Sequence, residues 1–337
     1  MSFQNSSATD AKDLVQQLNT FLAANGWTSD ASAADGAGWR VHLHKGSQYV
    51  HLRAQINENP PFVDRNPTLG YSIALYLGTA YASGNAWNQQ NTGAPQESGS
   101  VVKPVGVGCK LANAAIPNYY FFTDSGNNNV AVVIENQSGI YSHFGWGMMT
   151  PVGTITGGDY FFGSRGGFNL HDTSNSGAGD GVSASANCPA IVEDLYNLPS
   201  FFIRCDVDSF TGLWLSGGLT ASALNGWTGK NAITPMGGGN NGNLNTRNSE
   251  VPLYYFSYGA VGDFQSGQTS LIDGRANLLP VLFYALRDGS GTGYSPVGFI
   301  PTIFATNGVG NGFSPAAIYS IGADNYMMFP EFAVLKV

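Results

Sequence analysis

Three histidines, His42, His44 and His51, lie close together in the chain, with Arg40 and Arg53 on either side of them. Imidazoles at such spacing are the raw material of Zn or Ni sites. The two guanidiniums oppose a cation there, and no carboxylate follows the cluster until Glu58. The alternative use of Arg40, His42, His44, Tyr49, His51 and Arg53 is as a contact face, cationic toward an acidic partner or a sister chain. The plain alternative is a solvated face. In a contact, protonation of the three imidazoles below a pH of about 6.5 would make assembly pH-sensitive.

Carboxylates offer a second chemistry. Asp206 and Asp208 share one face of a predicted strand, and Glu193-Asp194 sit in a predicted helical turn. These are the pairs on which a glycosidase or a calcium site would draw. Acids at i, i+2 are ordinary on a strand that faces water, and Ser209-Phe210-Thr211 breaks the calcium-loop pattern. Gly308-Val309-Gly310-Asn311-Gly312 is a fragment of a dinucleotide loop, but Pro315 stands where a phosphate-capturing helix should run. Neither a Walker A sequence nor a G-x-S-x-G elbow is found. The sequence therefore assigns no catalytic residue, no cofactor and no metal, and nominates the hairpin face alone.

The elements that position this face follow from periodicity. Asp10 can cap a helix in which Leu14, Val15, Leu18, Phe21 and Leu22 form one apolar stripe, stopped by Gly26. Such a helix docks on a surface of the protein or on a neighbouring subunit. A small-residue linker, Ser29 to Gly38, comes next. Then Trp39–His44 and Gln48–Ala54 alternate with period two around Gly46-Ser47, which suits a type II′ hairpin. Its register pairs His44 with Tyr49, His42 with His51 and Arg40 with Arg53. Trp39, Val41, Leu43, Val50, Leu52 and Ala54 then share the face that packs, and the polar face is left for water or a partner.

Ten further aromatic or β-branched runs read as strands: Tyr71–Tyr76, Tyr119–Thr123, Val130–Glu135, Tyr141–Trp146, Tyr160–Phe162, Phe201–Cys205, Tyr254–Ser257, Val281–Leu286, Phe299–Phe304 and Phe332–Leu335. Helical patterns do not alternate with them; only Ile191–Leu198 and Arg275–Leu279 read as a turn or two of helix. The predicted class is mainly β: an antiparallel sandwich-like architecture with one N-terminal amphipathic helix. Gly-rich stretches at Ser174–Gly181, Gly237–Asn248 and Gly289–Gly293 read as long surface loops. The organisation expected is a docking helix in 1–28, a β region over 29–170 and a second over 187–337, as separate units or around one core.

Charged residues are 11% of the 337-residue chain, well under the roughly 25% of ordinary domains. The net charge of -8 opposes nucleic-acid binding, which needs clustered Lys and Arg. No apolar run reaches the roughly 20 residues of a membrane span. Met1 to Asp13 lacks the basic and apolar regions of a signal peptide, so folding in a cytoplasm is expected. Cys109, Cys188 and Cys205 are widely spaced and read as buried thiols.

The order of blocks carries a resemblance. It runs through Ala23-Ala24-Asn25-Gly26-Trp27, Leu52 to Glu58, Gly84-Asn85-Ala86-Trp87-Asn88 with Gly93-Ala94-Pro95, and Tyr119-Tyr120-Phe121-Phe122 with Val130 to Glu135. It continues in Tyr141 to Gly147, Gly157 to Ser164 and Gly322 to Pro330. Across most of its length the chain resembles a family of virion structural proteins encoded among the tail and neck genes of tailed bacteriophages. That resemblance implies a non-enzymatic subunit of the tail, neck or baseplate, found in the virion and in host cytoplasm during assembly. Its implied partners are sister subunits and other virion proteins. Two further readings come from the residues: a carbohydrate module that stacks a host glycan on exposed aromatics, and a polysaccharide-degrading enzyme using Asp206, Asp208 or Glu193.

Overall fold

A computed structural model describes residues 1–57, 71–90, 105–124, 126, 128–153, 156–163, 165–169, 200–207, 210–218, 232–233, 253–257, 278–286, 294–306, 315–321, 323–329 and 332–336. The chain opens with β1 (Ser2–Ala8), α1 (Ala11–Ala24), β2 (Thr28–Asp35), β3 (Gly38–Lys45), β4 (Gln48–Ile56) and β5 (Tyr71–Gly78). Next are β6 (Val105–Lys110), β7 (Ile116–Thr123), β8 (Val130–Gln137), β9 (Ile140–Met148), β10 (Thr150–Pro151), β11 (Thr156–Gly163) and β12 (Arg165–Asn169). Two more, β13 (Ser200–Val207) and β14 (Phe210–Gly218), precede a C-terminal group of strands. Every pairing is antiparallel, so the mainly β, sandwich-like expectation holds.

Six strands form one sheet in the order β12-β6-β5-β4-β3-β2, and seven form a second, β1-β7-β8-β9-β11-β13-β14. Their facing sides share one core with α1. The helix forms where its cap and stripe require. The Asp13 amide donates to Asp10 Oδ1 at 2.8 Å, and Leu14, Val15, Leu18, Phe21 and Leu22 are all buried. At its other end Gly26 takes φ +85°, the Trp27 amide donates to the Leu22 carbonyl and the Gly26 amide to that of Ala23. This paired arrangement is a Schellman stop, for which the left-handed residue is best a glycine. Phe21 then meets Phe121 at 5.6 Å, and Trp27 meets Trp146 edge-on at 5.7 Å. The helix docks on its own chain's sheets.

The outer side of the seven-stranded sheet is covered too. The C-terminal strands make a third sheet, anchored where β10 pairs with the strand Tyr294–Thr306. From it Phe329 packs on Tyr120 and Tyr141, at 5.4 and 5.7 Å. Between these layers Tyr160 donates to Asn129 Oδ1 at 2.7 Å, and Asn129 Nδ2 donates to Asp124 at 2.7 Å. His143 is enclosed in the same layer, and burial pushes its pKa down to about 3.

Two expectations are corrected. Ser29–Gly38 is not a linker: Thr28–Asp35 is a strand, turned into β3 through Gly36 at φ +62°. Residues 1–28 join the body of the fold, since β1 pairs with β7 and α1 lies in the core. Leu278 and Leu279 belong to a strand, not a helical turn. The seven-stranded sheet also crosses the expected boundary between halves, since β11 pairs with β13. Ile191–Leu198 and the three Gly-rich stretches lie outside the described residues.

Candidate functional site

The hairpin has the register that its sequence predicts, from Trp39 opposite Ala54 to Lys45 opposite Gln48, with Gly46 at φ +61° as a type II′ turn requires. On the outer face of the six-stranded sheet three rows of side chains run across the strands. The central row is Ala31, His42, His51 and Tyr76. On one side of it lie Ala33, Arg40, Arg53 and Ala74, and on the other Thr28, His44, Tyr49 and Gly78.

The centre of this face does not meet water. His42 is 1% exposed and His51 is fully buried. The chain that leaves β5 folds back over them, laying the Tyr81 ring on His42 at 4.8 Å and the Trp87 edge on Tyr76 at 5.5 Å. Tyr76 donates its hydroxyl hydrogen to the Trp87 carbonyl and accepts from the Gln90 amide. The buried Gln90 side chain staples the return: its Nε2 donates to the carbonyls of Ala82, Asn85 and Ala86 at 3.1–3.2 Å, and its Oε1 accepts from the Ala82 amide at 2.8 Å. The Ala82 and Ala86 carbonyls also accept from the Asn85 and Gln89 amides, so this side chain reinforces a loop that its own backbone closes in part.

The two buried imidazoles satisfy each other. Their Nδ1 atoms are 2.8 Å apart, so one ring must carry its proton on Nδ1 while the other presents a lone pair. The Nε2 atoms of His42 and of His51 are both buried without a hydrogen-bond partner among the described residues, so either ring can be the Nδ1–H donor and the other then carries its proton on Nε2. Burial, reinforced by Arg40 and opposed by Asp35, lowers the His42 pKa to about 4. Burial and His42 hold His51 well below its ordinary value, against the favourable backbone of Ala80. Both rings are therefore neutral across the physiological range, and the expected charging of three imidazoles near pH 6.5 does not extend to this pair.

The rim is different. His44 stacks on Tyr49 at 5.1 Å and reaches both oxygens of Asp30 through Nδ1, at 2.8 and 3.0 Å. Arg53 donates through Nε to Asp35 Oδ2 at 2.8 Å and through a terminal nitrogen to the Asp35 carbonyl at 3.1 Å. Arg40 is half-buried between these pairs. Both carboxylates come from β2, which the sequence reading treated as linker, so the statement that none stands near the cluster is corrected. A signal for β2 was present: Gly36-Ala37 is the same glycine-led turn chemistry that marks Gly46-Ser47. Gln90 and Trp87, by contrast, carried no sequence signal of what they cover.

Asp206 lies on β13 opposite Thr156, and Cys205 beside it faces Leu213 in the pairing. Asp208, Glu193, Asp194, Cys188 and Gly308–Gly312 lie outside the described residues. Cys109 is a buried free thiol whose pKa burial pushes up. Among the described residues no three His, Cys, Asp or Glu side chains are grouped to hold a metal ion. No protein-family model matches the chain, and no curated protein matches it significantly.

Proposed function

We propose that this chain is a structural subunit of a tailed bacteriophage particle, with no catalytic step, packing against sister subunits and neighbouring tail, neck or baseplate proteins. The observation that carries the reading is where the scarce charges go. At the candidate face Asp30 is tied to His44 and Asp35 to Arg53, and on the opposite face of the sheet Lys12 lies over the Trp39 ring at 5.0 Å. Charges engaged within the chain leave little to desolvate when a surface is covered, and interface cores are poor in free charge. The outer polar face supports the same reading, because its central histidines are packed beneath the loop that carries Tyr81 and Trp87.

Mass spectrometry of purified particles of the phage that encodes this chain is the test. The chain is expected as a particle component in multiple copies, retained through salt washing. Its absence from intact particles, or release of reducing sugar from host polysaccharide by the purified protein, would overturn the proposal.

A further inference from the structure

We infer that β2 is the seat of a homodimer: two copies join antiparallel along this strand, about a two-fold axis at Ala33, so that their six-stranded sheets become continuous. The inference rests on the reading of the chain as a self-packing subunit and names the surface. Among the described residues β2 is the last strand of its sheet; Thr28, Ser29, Ser32 and Ala34 are exposed and its other residues are half-buried. A long open edge offers a row of unpaired amide and carbonyl groups, and proteins that stay monomeric usually block it with Lys, Pro or an outstanding charge. This edge, Thr28–Asp35, has neither Lys nor Pro. Its two carboxylates are folded back onto the sheet's own His44 and Arg53.

The register follows from the bulge. The pairing of β2 with β3 shifts between Ser29 and Ala31, and from Ala31 to Asp35 it is unbroken. In an antiparallel pair, residues whose amides point outward must oppose residues of the same kind, so a strand meets its own copy with a residue on the axis. Centring the regular stretch places Ala33 opposite its copy, Ser32 opposite Ala34 and Ala31 opposite Asp35. No carboxylate then faces a carboxylate, whereas a parallel in-register pairing would stack Asp35 on its copy. Arg40 and its copy would stand three strand spacings apart, ~14 Å, beyond the ~8 Å over which charges interact in physiological salt. A second copy is thus the partner whose charge pattern this edge fits.

Sedimentation velocity on the full chain, with two variants, tests this. The native chain is expected to be a dimer at micromolar concentration. Ala33→Lys, which sets two ammonium groups face to face on the axis, should weaken the dimer by at least ~tenfold with an unchanged circular dichroism spectrum. Ala33→Cys should form a cross-linked dimer on mild oxidation, mapped to position 33 by peptide mass spectrometry, with the oxidised native chain as control. A monomeric native chain overturns the inference. So does a dimer that Ala33→Lys leaves intact and Ala33→Cys fails to cross-link, although the subunit reading would survive that result. Dimers through β2 in a chain absent from particles would sustain the inference and overturn the subunit reading.

Discussion

On the inner face of the β3–β4 hairpin Val41, Leu43, Val50 and Leu52 are fully buried, and on its outer face His42 and His51 are buried almost as completely. The two faces reach the same exclusion of water by unlike means. Inside, apolar side chains need only fill space against α1 and the opposing sheet, and any neighbour of suitable shape serves. Outside, each imidazole needs a partner in the matching tautomer and a loop, pinned by Gln90, to keep water away. Burial on the inner face is insensitive to pH; on the outer face it depends on two rings staying neutral. Alternation of polar and apolar residues therefore reports register on both faces but exposure on only one.

The largest expected effect separates the faces by acidity. His42 and His143 have pKa values lowered to about 4 and about 3, and His51 is shifted in the same direction. A histidine depressed in the folded state takes up its proton only on unfolding, so stability is full above pH 6.5 and falls as pH drops toward the folded value. Each such ring removes ~1.4 kcal/mol per pH unit within that window. Three rings acting together would remove a large share of an ordinary stability of ~5–15 kcal/mol before most carboxylates titrate. Urea melts between pH 7 and 4 should show a falling midpoint and acid unfolding above pH 4. A midpoint flat over that range would mean that these rings are not buried neutral.

A smaller effect probes the inner face. Leu52→Ala should cost about 2–5 kcal/mol, from lost transfer energy and the cavity left behind, with the pH dependence unchanged. Equilibrium unfolding at pH 7 and at pH 5 checks both parts. Smaller again is the pairing of the two imidazoles. His51→Leu alone should cost about 1–3 kcal/mol, because it leaves the buried Nδ1 of His42 without its partner. The double variant with His42→Leu should cost less than the sum of the two single changes, and a double-mutant cycle reads the difference. Strict additivity would show that the 2.8 Å contact carries no energy.

How far the sequence reveals this arrangement depends on the reach of each contact. The cap at Asp10, the stop at Gly26 and the II′ turn at Gly46 are local, set by residues one to four apart, and all are readable. The pairing of His42 with His51 is readable as well, since one turn fixes it. What covers that pair is not, because Tyr81, Trp87 and Gln90 arrive from beyond β5 and are drawn there by hydrogen bonds that no periodicity encodes. Strand β2 is an intermediate case. Its Ser/Ala/Asp composition has low strand propensity, and pairing with β3 overrides that preference although its turn was legible. The resemblance to virion proteins bore on packing between copies and could not say which strand would lie outermost.

The smallest effect belongs to the rim of the outer face, where His44 and Asp30 keep 26% and 18% of their side-chain surface exposed. Asp30→Asn keeps the shape of the side chain and removes its charge. Because water and ions reach the pair, its coupling energy should be only about 0.2–1 kcal/mol and should shrink further in high salt. Thermal unfolding of Asp30→Asn, His44→Gln and the double variant at low and high ionic strength measures it. The centre and the rim of one face would then differ severalfold in energy while differing little in residue type, with access of water as the cause. A rim coupling as large as that of the buried imidazoles would erase the distinction and place the face's stability in its charges.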